Sequence, residues 1–433
     1  MSGMLQATSV NDDPSMKFIH TADIHLDSPL AGLAAYRDAP AERLRTVTRD
    51  AFTRLVDVAI EESVDFMIIA GDLYDGNWKD YNTGHFFCRE MGRLNRVGIP
   101  VYLAFGNHDA DSEMTKKLIL PGNVHVFDSR KASTFRIEVL KVALHGRSFR
   151  EAATLENLAA GYPGPVEGWL NIGVLHTALE GYAAHARYAP CSLSELIAKG
   201  YDYWALGHVH EHAILSRQPW VVFPGNLQGR HIRETGARGA MLVMADETGI
   251  QSVERLPMDV LRWQELAVDV GTAGTLDEIV HRVGNAFEDC LANTPERLSL
   301  SVRVTLHGQT AAHGELFGLE AQLRQEILAQ ATGRGIDRLW VEKVCVETRP
   351  VADADQLAVR SDAIADLQGL LLDATEDEAL LASLLDDLRP LVDKAPRDLI
   401  NSLPVLDDLR NGRMADLVRT VTPDLLAYLA KAE

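Results

Sequence analysis

Cysteine is scarce in this sequence. Its four cysteines, Cys88, Cys191, Cys290 and Cys345, lie far apart and none shares a CxxC spacing. That excludes a zinc ribbon and a thioredoxin-type motif, and scattered thiols suit a reducing cytoplasm. Long apolar runs are missing as well: no stretch reaches the roughly 18 residues that read as a membrane span. The opening MSGMLQATSVNDDPSM lacks the basic-then-apolar order of a secretory signal. No GxxxxGK(S/T) occurs, so the chain is not its own P-loop ATPase. Positive charge is in deficit, with 42 Lys and Arg against 62 Asp and Glu, a formal net charge of −20. A field of that sign repels nucleic acid and anionic membrane, so any nucleic-acid site must be locally positive. The remaining composition, 46% hydrophobic and 24% charged, excludes disorder as the main state. A cytoplasmic protein of two or three domains is expected from 433 residues.

Residues 1–15 are polar and aperiodic and read as a flexible extension, with Met16 as a natural start. From 16 to 255, short apolar runs end in polar residues: KFIHTADIH, FMIIAGD, VYLAFGNHD, NIGVLH and DYWALGHVH. Each reads as a buried strand bounded by turn residues. Leu44, Val47, Ala51, Leu55 and Val58 repeat at helical spacing between the first two, after Pro40. Strand, helix, strand is the signature of an α/β sheet with helices on its faces. Further strands are expected near 134–146, 220–224 and 239–244. Residues 256–350 read as a small βαβαβ module. Residues 351–433 have helical spacing, and Pro390, Pro404 and Pro423 are expected to break them into short helices.

Twelve of the fifteen histidines fall in the first 250 residues, many at predicted strand ends, where open α/β sheets place ligand sites. Asp23-Ile24-His25 puts a carboxylate and an imidazole on one side of an extended segment. Gly71-Asp72, with Asp75 three residues on, offers a carboxylate able to bridge two cations. Gly106-Asn107-His108-Asp109 is the most specific word, since a given four-residue word recurs by chance in about one chain in 400 of this length. His176 ends NIGVLH. Gly207-His208-Val209-His210 presents two imidazoles together. Each motif has a plain structural reading, as a turn or a core histidine. Five in sequence, rich in imidazole and carboxylate and free of thiolate, point to manganese, iron or zinc.

The order DxH, GD, GNHD, H, GHxH resembles the calcineurin-like metallophosphoesterase superfamily. FIHTADIHLDSPL, AGDLYD, FGNHD and ALGHVH are similar to SbcD-type DNA repair exonucleases, and among them to the YhaO-like branch. The motifs cover residues 16–250 or so. The resemblance implies an α/β sandwich with a small α/β capping domain and a helical C-terminal tail. It implies a two-metal-dependent DNA phosphodiesterase, a nuclease acting through a metal-bound hydroxide, with two divalent ions, Mn2+ first and Fe or Zn as alternatives. By motif position, Asp23, His25 and His210 hold one metal, Asn107, His176 and His208 the other, and Asp72 bridges. His108 acts on the phosphate or leaving oxygen, and Asp75 orients it. The resemblance also implies a coiled-coil ATPase partner of the SbcC type and a homodimer. Rival readings are a phosphoesterase for small nucleotides or phosphoproteins, and a non-cutting scaffold for the ATPase.

DNA needs a grip. The most basic stretch near the motifs is Gln228–Arg238, so Arg230, Arg233 and Arg238 are candidate backbone contacts, with Lys116 and Lys117 second. The tail offers Leu380, Leu381, Leu384 and Leu388, either to dock the ATPase or to pack within their own domain. The charge is uneven. Residues 1–250 carry 24 basic and 30 acidic side chains, 251–350 carry 10 and 15, and the last 83 carry 8 and 17. Almost half the excess thus lies in the tail, and the catalytic region is near neutral once two cations bind. A partner supplying the main DNA grip is the natural expectation.

Overall fold

The structure is a computed structural model. It describes residues 16–30, 41–75, 81–111, 118–180, 188–335, 338–351, 363–395 and 404–431. Residues 1–15, Pro40, Lys116 and Lys117 therefore lie outside the described residues. The chain divides into two compact units, residues 1–264 with 296–300, and residues 265–295 with 301–433.

The first unit is an α/β sandwich of two six-stranded sheets. In the first sheet β1 (Met16–Thr21), β2 (Phe66–Ala70), β3 (Val101–Ala104) and β4 (Val124–Val126) run parallel. The hairpin β11 (Gly239–Asp246) and β12 (Gly249–Pro257) closes it, with β11 antiparallel to β1. The second sheet has the order β5 (Ser133–Ile137), β6 (Val142–Gly146), β7 (Leu170–His176), β8 (Tyr203–Gly207), β10 (Trp220–Phe223) and β9 (Ala213–Arg217). Its four inner strands are parallel. The expected strands are all present; the sequence reading did not foresee β4, β9 or β12.

Side-chain alternation builds the layers. On β2, Phe66, Ile68 and Ala70 face the second sheet and join Tyr203, Val174 and Val222 in the inter-sheet core. Met67 and Ile69 face the other way, against Ala51, Phe52 and Leu55 of α1 (Ala41–Glu61) and Phe87 and Met91 of α2 (Tyr81–Arg96). The helical spacing read between the first two strands is α1. Strands buried on both faces must be continuously apolar, as these are. One polar group crosses the inter-sheet core. His20 Nε2 meets the Leu206 carbonyl at 3.1 Å and Nδ1 meets the Tyr203 hydroxyl at 3.0 Å. A carbonyl only accepts, so Nε2 carries the proton and Nδ1 accepts from the phenol. Burial pushes the pKa of His20 down to about 3.

The second unit holds a three-stranded sheet, order β13 (Leu261–Asp269), β14 (Ser299–Thr310), β15 (Leu339–Pro350). α5 (Leu276–Ala292) and α7 (Glu320–Gly335) pack against each other, and α7 against β15. Thr275 caps α5 by accepting from the Glu278 amide. The second helix expected in the βαβαβ module is two, α6 (His313–Gly318) and α7, divided at Leu319. Beyond residue 350 come α8 (Ala363–Ala374), α9 (Glu378–Lys394), α10 (Pro404–Arg410) and α11 (Met414–Lys431), and α11 packs on α6, α8 and β15.

The prolines correct one expectation. Pro404 opens α10, where its missing N–H costs nothing. Pro390 lies inside α9 and Pro423 inside α11, and neither ends its helix. An interior proline costs about 3 kcal/mol. In α9 that cost is opposed by packing of Leu381, Leu384, Leu385, Leu388 and Val392 against Leu409, Met414 and Leu417. Three of the four leucines considered for ATPase docking are thus used internally, while Leu380 stays 42% exposed. No helix among the described residues is long and apolar enough to cross a membrane.

Candidate metal centre

Five strand ends build the site. β1 leads to Asp23 and His25, β2 to Asp72, and β3 to Asn107 and His108; β7 ends on His176, and β8 leads to His208 and His210. The first three strands belong to one sheet and the last two to the other, and their carboxyl ends meet. Backbone bonds stitch the loops together. The Asp23 amide donates to the Gly71 carbonyl at 3.0 Å, the His25 amide to Asp72 at 3.0 Å and the Thr177 amide to Gly207 at 3.0 Å. Asp23, His25, Asp72 and His208 all have positive φ, at 50°, 45°, 53° and 101°. Such conformations are costly for residues with a Cβ and concentrate where function requires them.

Donor atoms lie within 4.8 Å of one another in three groups: Asp23–His25–His210, His25–Asp72–His108 and Asp72–His176–His208. Their hydrogen bonding fits cations. His176 Nδ1 is 3.0 Å from the Ala70 carbonyl and so carries the proton. Its Nε2 lone pair then faces Asn107 Oδ1 at 3.0 Å and Asp72 Oδ2 at 3.3 Å. Three lone-pair atoms converging on one point require a positive charge there. His210 repeats the logic. Its Nδ1 lies 2.7 Å from Glu234 Oε1 and 3.4 Å from an Arg230 nitrogen. The shorter contact sets the tautomer, so Nδ1 donates to the carboxylate. The Nε2 atom then faces His25 Nε2 at 3.2 Å and Asp23 Oδ1 at 3.9 Å. Imidazole and carboxylate without thiolate, with one carboxylate common to two groups, is a donor set for two divalent cations.

Charge in the site is set by burial against partners. Burial, reinforced by Asp72, raises the pKa of Asp23. Asp72 is equally buried, yet the neighbouring histidines, His176 foremost, hold it well below the usual carboxylate range. Absent a cation, the positive charge between these atoms is a proton on His176 Nε2: burial opposes it, but Asp72 outweighs burial and raises the pKa to about 9. Burial, helped by Arg230, pushes His25 down to about 3, leaving the neutral imidazole that ligates metals. Asp75 sits where several groups meet. It is 3.4 Å from His108 Nδ1 and 3.5 Å from His25 Nδ1, and it accepts from the Ser28 hydroxyl at 2.9 Å. The His108 side chain is 39% exposed, in contrast to the fully buried His25 and His176.

The motif glycines have a reason beyond turn geometry. A Cβ on Gly71 would lie 2.2 Å from His176 Nδ1. One on Gly106 would lie 2.3 Å from Asp72 Oδ1 and 2.9 Å from His176 Cε1, and one on Gly207 1.9 Å from the Ala70 carbonyl. Three loops close around the His176 ring only because none carries a side chain there.

Two buried carboxylates escaped the sequence reading. Glu234 accepts from His210, from Asn226 Nδ2 at 2.8 Å and from the Arg230 amide at 2.7 Å. Burial opposes its ionisation, but the bond from His210 and the charge of Arg230 hold its pKa low. It fixes the ring of a metal-site histidine from behind. It lay in the stretch read for its arginines. Asp109 is buried and accepts from the amides of Leu73, Tyr74 and Gly106 at 3.2, 2.9 and 3.0 Å, tying the β2 loop to the β3 loop. Burial and the charge of Asp72 raise its pKa to about 7. Its place in GNHD was the available signal.

The three arginines part company. Arg230 reaches the site's rim, with Nη1 3.2 Å from Ser28 Oγ and 3.7 Å from Asp75. Arg233 is exposed. Arg238 requires a correction. Its side chain is 3% exposed, and it donates to the His210 carbonyl at 2.5 Å and to the Thr235 carbonyl at 2.8 Å and pairs with Glu211 at 3.0 Å. It braces the β8 loop and does not present itself to a backbone phosphate.

Family comparisons agree with this geometry. The model described as Calcineurin-like phosphoesterase matches residues 16–212, and that described as Metallophosphoesterase YhaO, middle domain, matches residues 263–349. The chain belongs to the calcineurin-like metallophosphoesterases, in their YhaO branch, and is a metal-dependent phosphoesterase. It is 37% identical over 276 residues to the uncharacterized metallophosphoesterase YhaO of Bacillus subtilis, covering 63% of this chain and 67% of that one. It is 27% identical to the DNA double-strand break repair protein Mre11 of Methanopyrus kandleri, covering 58% and 59%, and 24% identical to that of Sulfurisphaera tokodaii, covering 53% and 61%. The chain thus spans about three fifths of the length of these two Mre11 relatives.

Proposed function

We propose that this chain is a DNA phosphodiesterase, a nuclease subunit of DNA repair that works with two divalent cations, manganese foremost, in the cytoplasm. The observation that carries the proposal is the shared carboxylate: Asp72 belongs to two donor groups, one completed by His25 and His108 of its own sheet and the other by His176 and His208 of the other sheet. Bound there, two cations supply an activated water and offset charge in an in-line displacement. Asp23, His25 and His210 hold one, Asn107, His176 and His208 hold the other, and Asp72 serves both.

The chain's other residues orient and move protons. His108, more exposed than the ligands, holds the proton for the leaving oxygen, and Asp75 aims its ring. The Arg230 guanidinium draws a phosphate oxygen to the rim. DNA as substrate is supported by the likeness to the DNA double-strand break repair protein Mre11 and by Arg230 beside the site. The chain's charge of −20 supports an ATPase of the SbcC type that supplies most of the DNA grip.

The test is incubation of the pure protein with labelled duplex and single-stranded oligonucleotides, with Mn2+, Mg2+ or chelator. Cutting with Mn2+ and none with chelator is expected. Hydrolysis of a chromogenic phosphate ester without any cutting of DNA sinks the nuclease reading in favour of a small-molecule phosphoesterase.

A further inference from the structure

Away from the metal site, the first unit gathers more arginines than the carboxylates beside them neutralise. Asp259 is 1% exposed and lies at their centre. Arg262 grips its carboxylate through two bonds of 2.8 and 3.1 Å. Arg54 of α1 donates to its main-chain carbonyl at 3.2 Å. Arg255 donates to the Ala237 carbonyl, a contact that neutralises no charge. Arg297 is exposed, and the charges of Arg297 and Arg262 both act on Arg54. Those of Arg238 and Arg262 act on Arg255, opposed by Glu211 and Asp259, and Asp259 also acts on Arg54. Only Arg262 and Arg238, the latter through Glu211, form ion pairs with carboxylates here. Arg54, Arg255 and Arg297 form none among the described residues.

Like charges held together cost stability. In a chain with 20 surplus acids, carboxylates to quench three guanidiniums are not scarce. Five guanidiniums, Arg54, Arg238, Arg255, Arg262 and Arg297, set against two carboxylates, Asp259 and Glu211, keep an excess of positive charge that is matched to an anion from outside. The cluster is also tied to the metal site. The Arg238 carbonyl accepts from the amides of Met258 and Asp259, while its guanidinium holds the carbonyl of His210. One residue therefore links the cluster's backbone to a metal-site histidine.

We propose that Arg54, Arg255 and Arg297 form a second contact for the DNA backbone, gripping phosphates some nucleotides away from the one at the metals. This rests on the nuclease reading and gives it an address for the rest of the strand. Arginine suits the task because its fork pairs with two phosphate oxygens at once. The contact is sequence-independent and is weakened by salt.

The experiment uses the full chain with EDTA, so that binding is read without cutting. Fluorescence anisotropy with a labelled 30-base-pair duplex is measured from 25 to 200 mM salt for the wild type, Arg54→Gln/Arg297→Gln and Arg297→Glu. The double variant should bind at least fivefold more weakly at low salt, and its log–log salt slope should fall by about 2, near 0.9 per lost phosphate contact. Arg297→Glu, which has no ion pair to lose, should show the same direction with an intact thermal melt. Hydrolysis of bis-p-nitrophenyl phosphate with Mn2+ should be unchanged in both. Unchanged affinity and slope overturn the proposal. So does competition by polyglutamate as effective as that by DNA of equal charge, which assigns the patch to an acidic protein. Failure of the wild type to bind any duplex at 25 mM salt defeats the patch but not the nuclease reading, which the Mn2+ cutting assay decides on its own; binding by the wild type with unaltered variants likewise defeats the patch alone.

Discussion

Glu234 Oε1 accepts a 2.7 Å hydrogen bond from Nδ1 of His210, and this contact decides which nitrogen of that histidine faces Asp23 and His25. Removing the carboxylate charge should loosen the ring. Partners of this kind are worth about 10–100-fold in metal affinity or activity. Glu234→Gln should therefore move the Mn2+ concentration for half-maximal phosphodiesterase activity up by at least about tenfold, with most of the turnover regained at saturating metal. An unaltered metal titration would show the contact to be ornamental.

His108 should separate chemistry from metal binding. It sits near Asp72 and His25 but is 39% exposed and turned toward Asp75. His108→Ala is expected to retain its metal by elemental analysis while losing at least about 100-fold in turnover, the usual scale for a proton-transfer group. Loss of metal in step with activity would make it a ligand instead.

Asp72 is the residue both donor groups need. Asp72→Asn should abolish activity and remove the thermal stabilisation given by Mn2+. Bound ligand stabilises by RT ln(1 + [L]/Kd), about 2.7 kcal/mol at a hundredfold excess over Kd. A wild-type-like rise in melting temperature with Mn2+ would refute the shared-ligand arrangement.

Gly207 tests the packing around His176. Its added Cβ would meet the Ala70 carbonyl at 1.9 Å, and backbone cannot step aside as a flexible side chain can. Gly207→Ala should cost on the order of 1–3 kcal/mol, the range for overpacked cores, in urea denaturation with EDTA. A midpoint equal to wild type would show that the loops have slack.

His20 makes stability depend on pH. Its folded pKa lies near 3, against 6.5 for an unperturbed histidine. Between those values the unfolded chain binds the proton and the folded chain does not, so stability is full above pH 6.5 and is lost as pH falls toward 3. At about 1.4 kcal/mol per unit, the loss from pH 7 to 5 due to this residue alone is about 2 kcal/mol. His20→Gln, in EDTA, should be less stable at pH 7 yet show a shallower decline to pH 5. Parallel pH curves for the two proteins would contradict a buried neutral histidine.

The sequence exposed what is periodic. Runs such as FMIIAGD mark strand ends without ambiguity, because a strand buried on both faces must be apolar until it emerges at the site. Hence all seven expected ligand positions fall around one centre. Charge in loops is less legible. Arg230, Arg233 and Arg238 lie within nine residues, and their alignment in the sequence says nothing of direction. One reaches the rim, one faces solvent and one is walled in beneath the His210 loop. Glu234 was hidden for the same reason, as an acid among bases whose partner is 24 residues away. Pro390 misled because its local penalty is visible in sequence, whereas the leucine packing that opposes it comes from Leu409, Met414 and Leu417.

The division of ligands between two sheets has a consequence for how the site comes into being. Asp23, His25, Asp72 and Asn107 stand on one sheet, and His176, His208 and His210 on the other. A chain emerging from the ribosome has four of the seven by residue 107 and completes neither proposed ligand set until residue 208. Cations can lock the site only after the second sheet has docked. A fragment ending before β8 keeps only His25, Asp72 and His108 as a donor group and should bind Mn2+ far more weakly than the full chain, and mixing it with the missing segment should restore binding only insofar as the two sheets find each other.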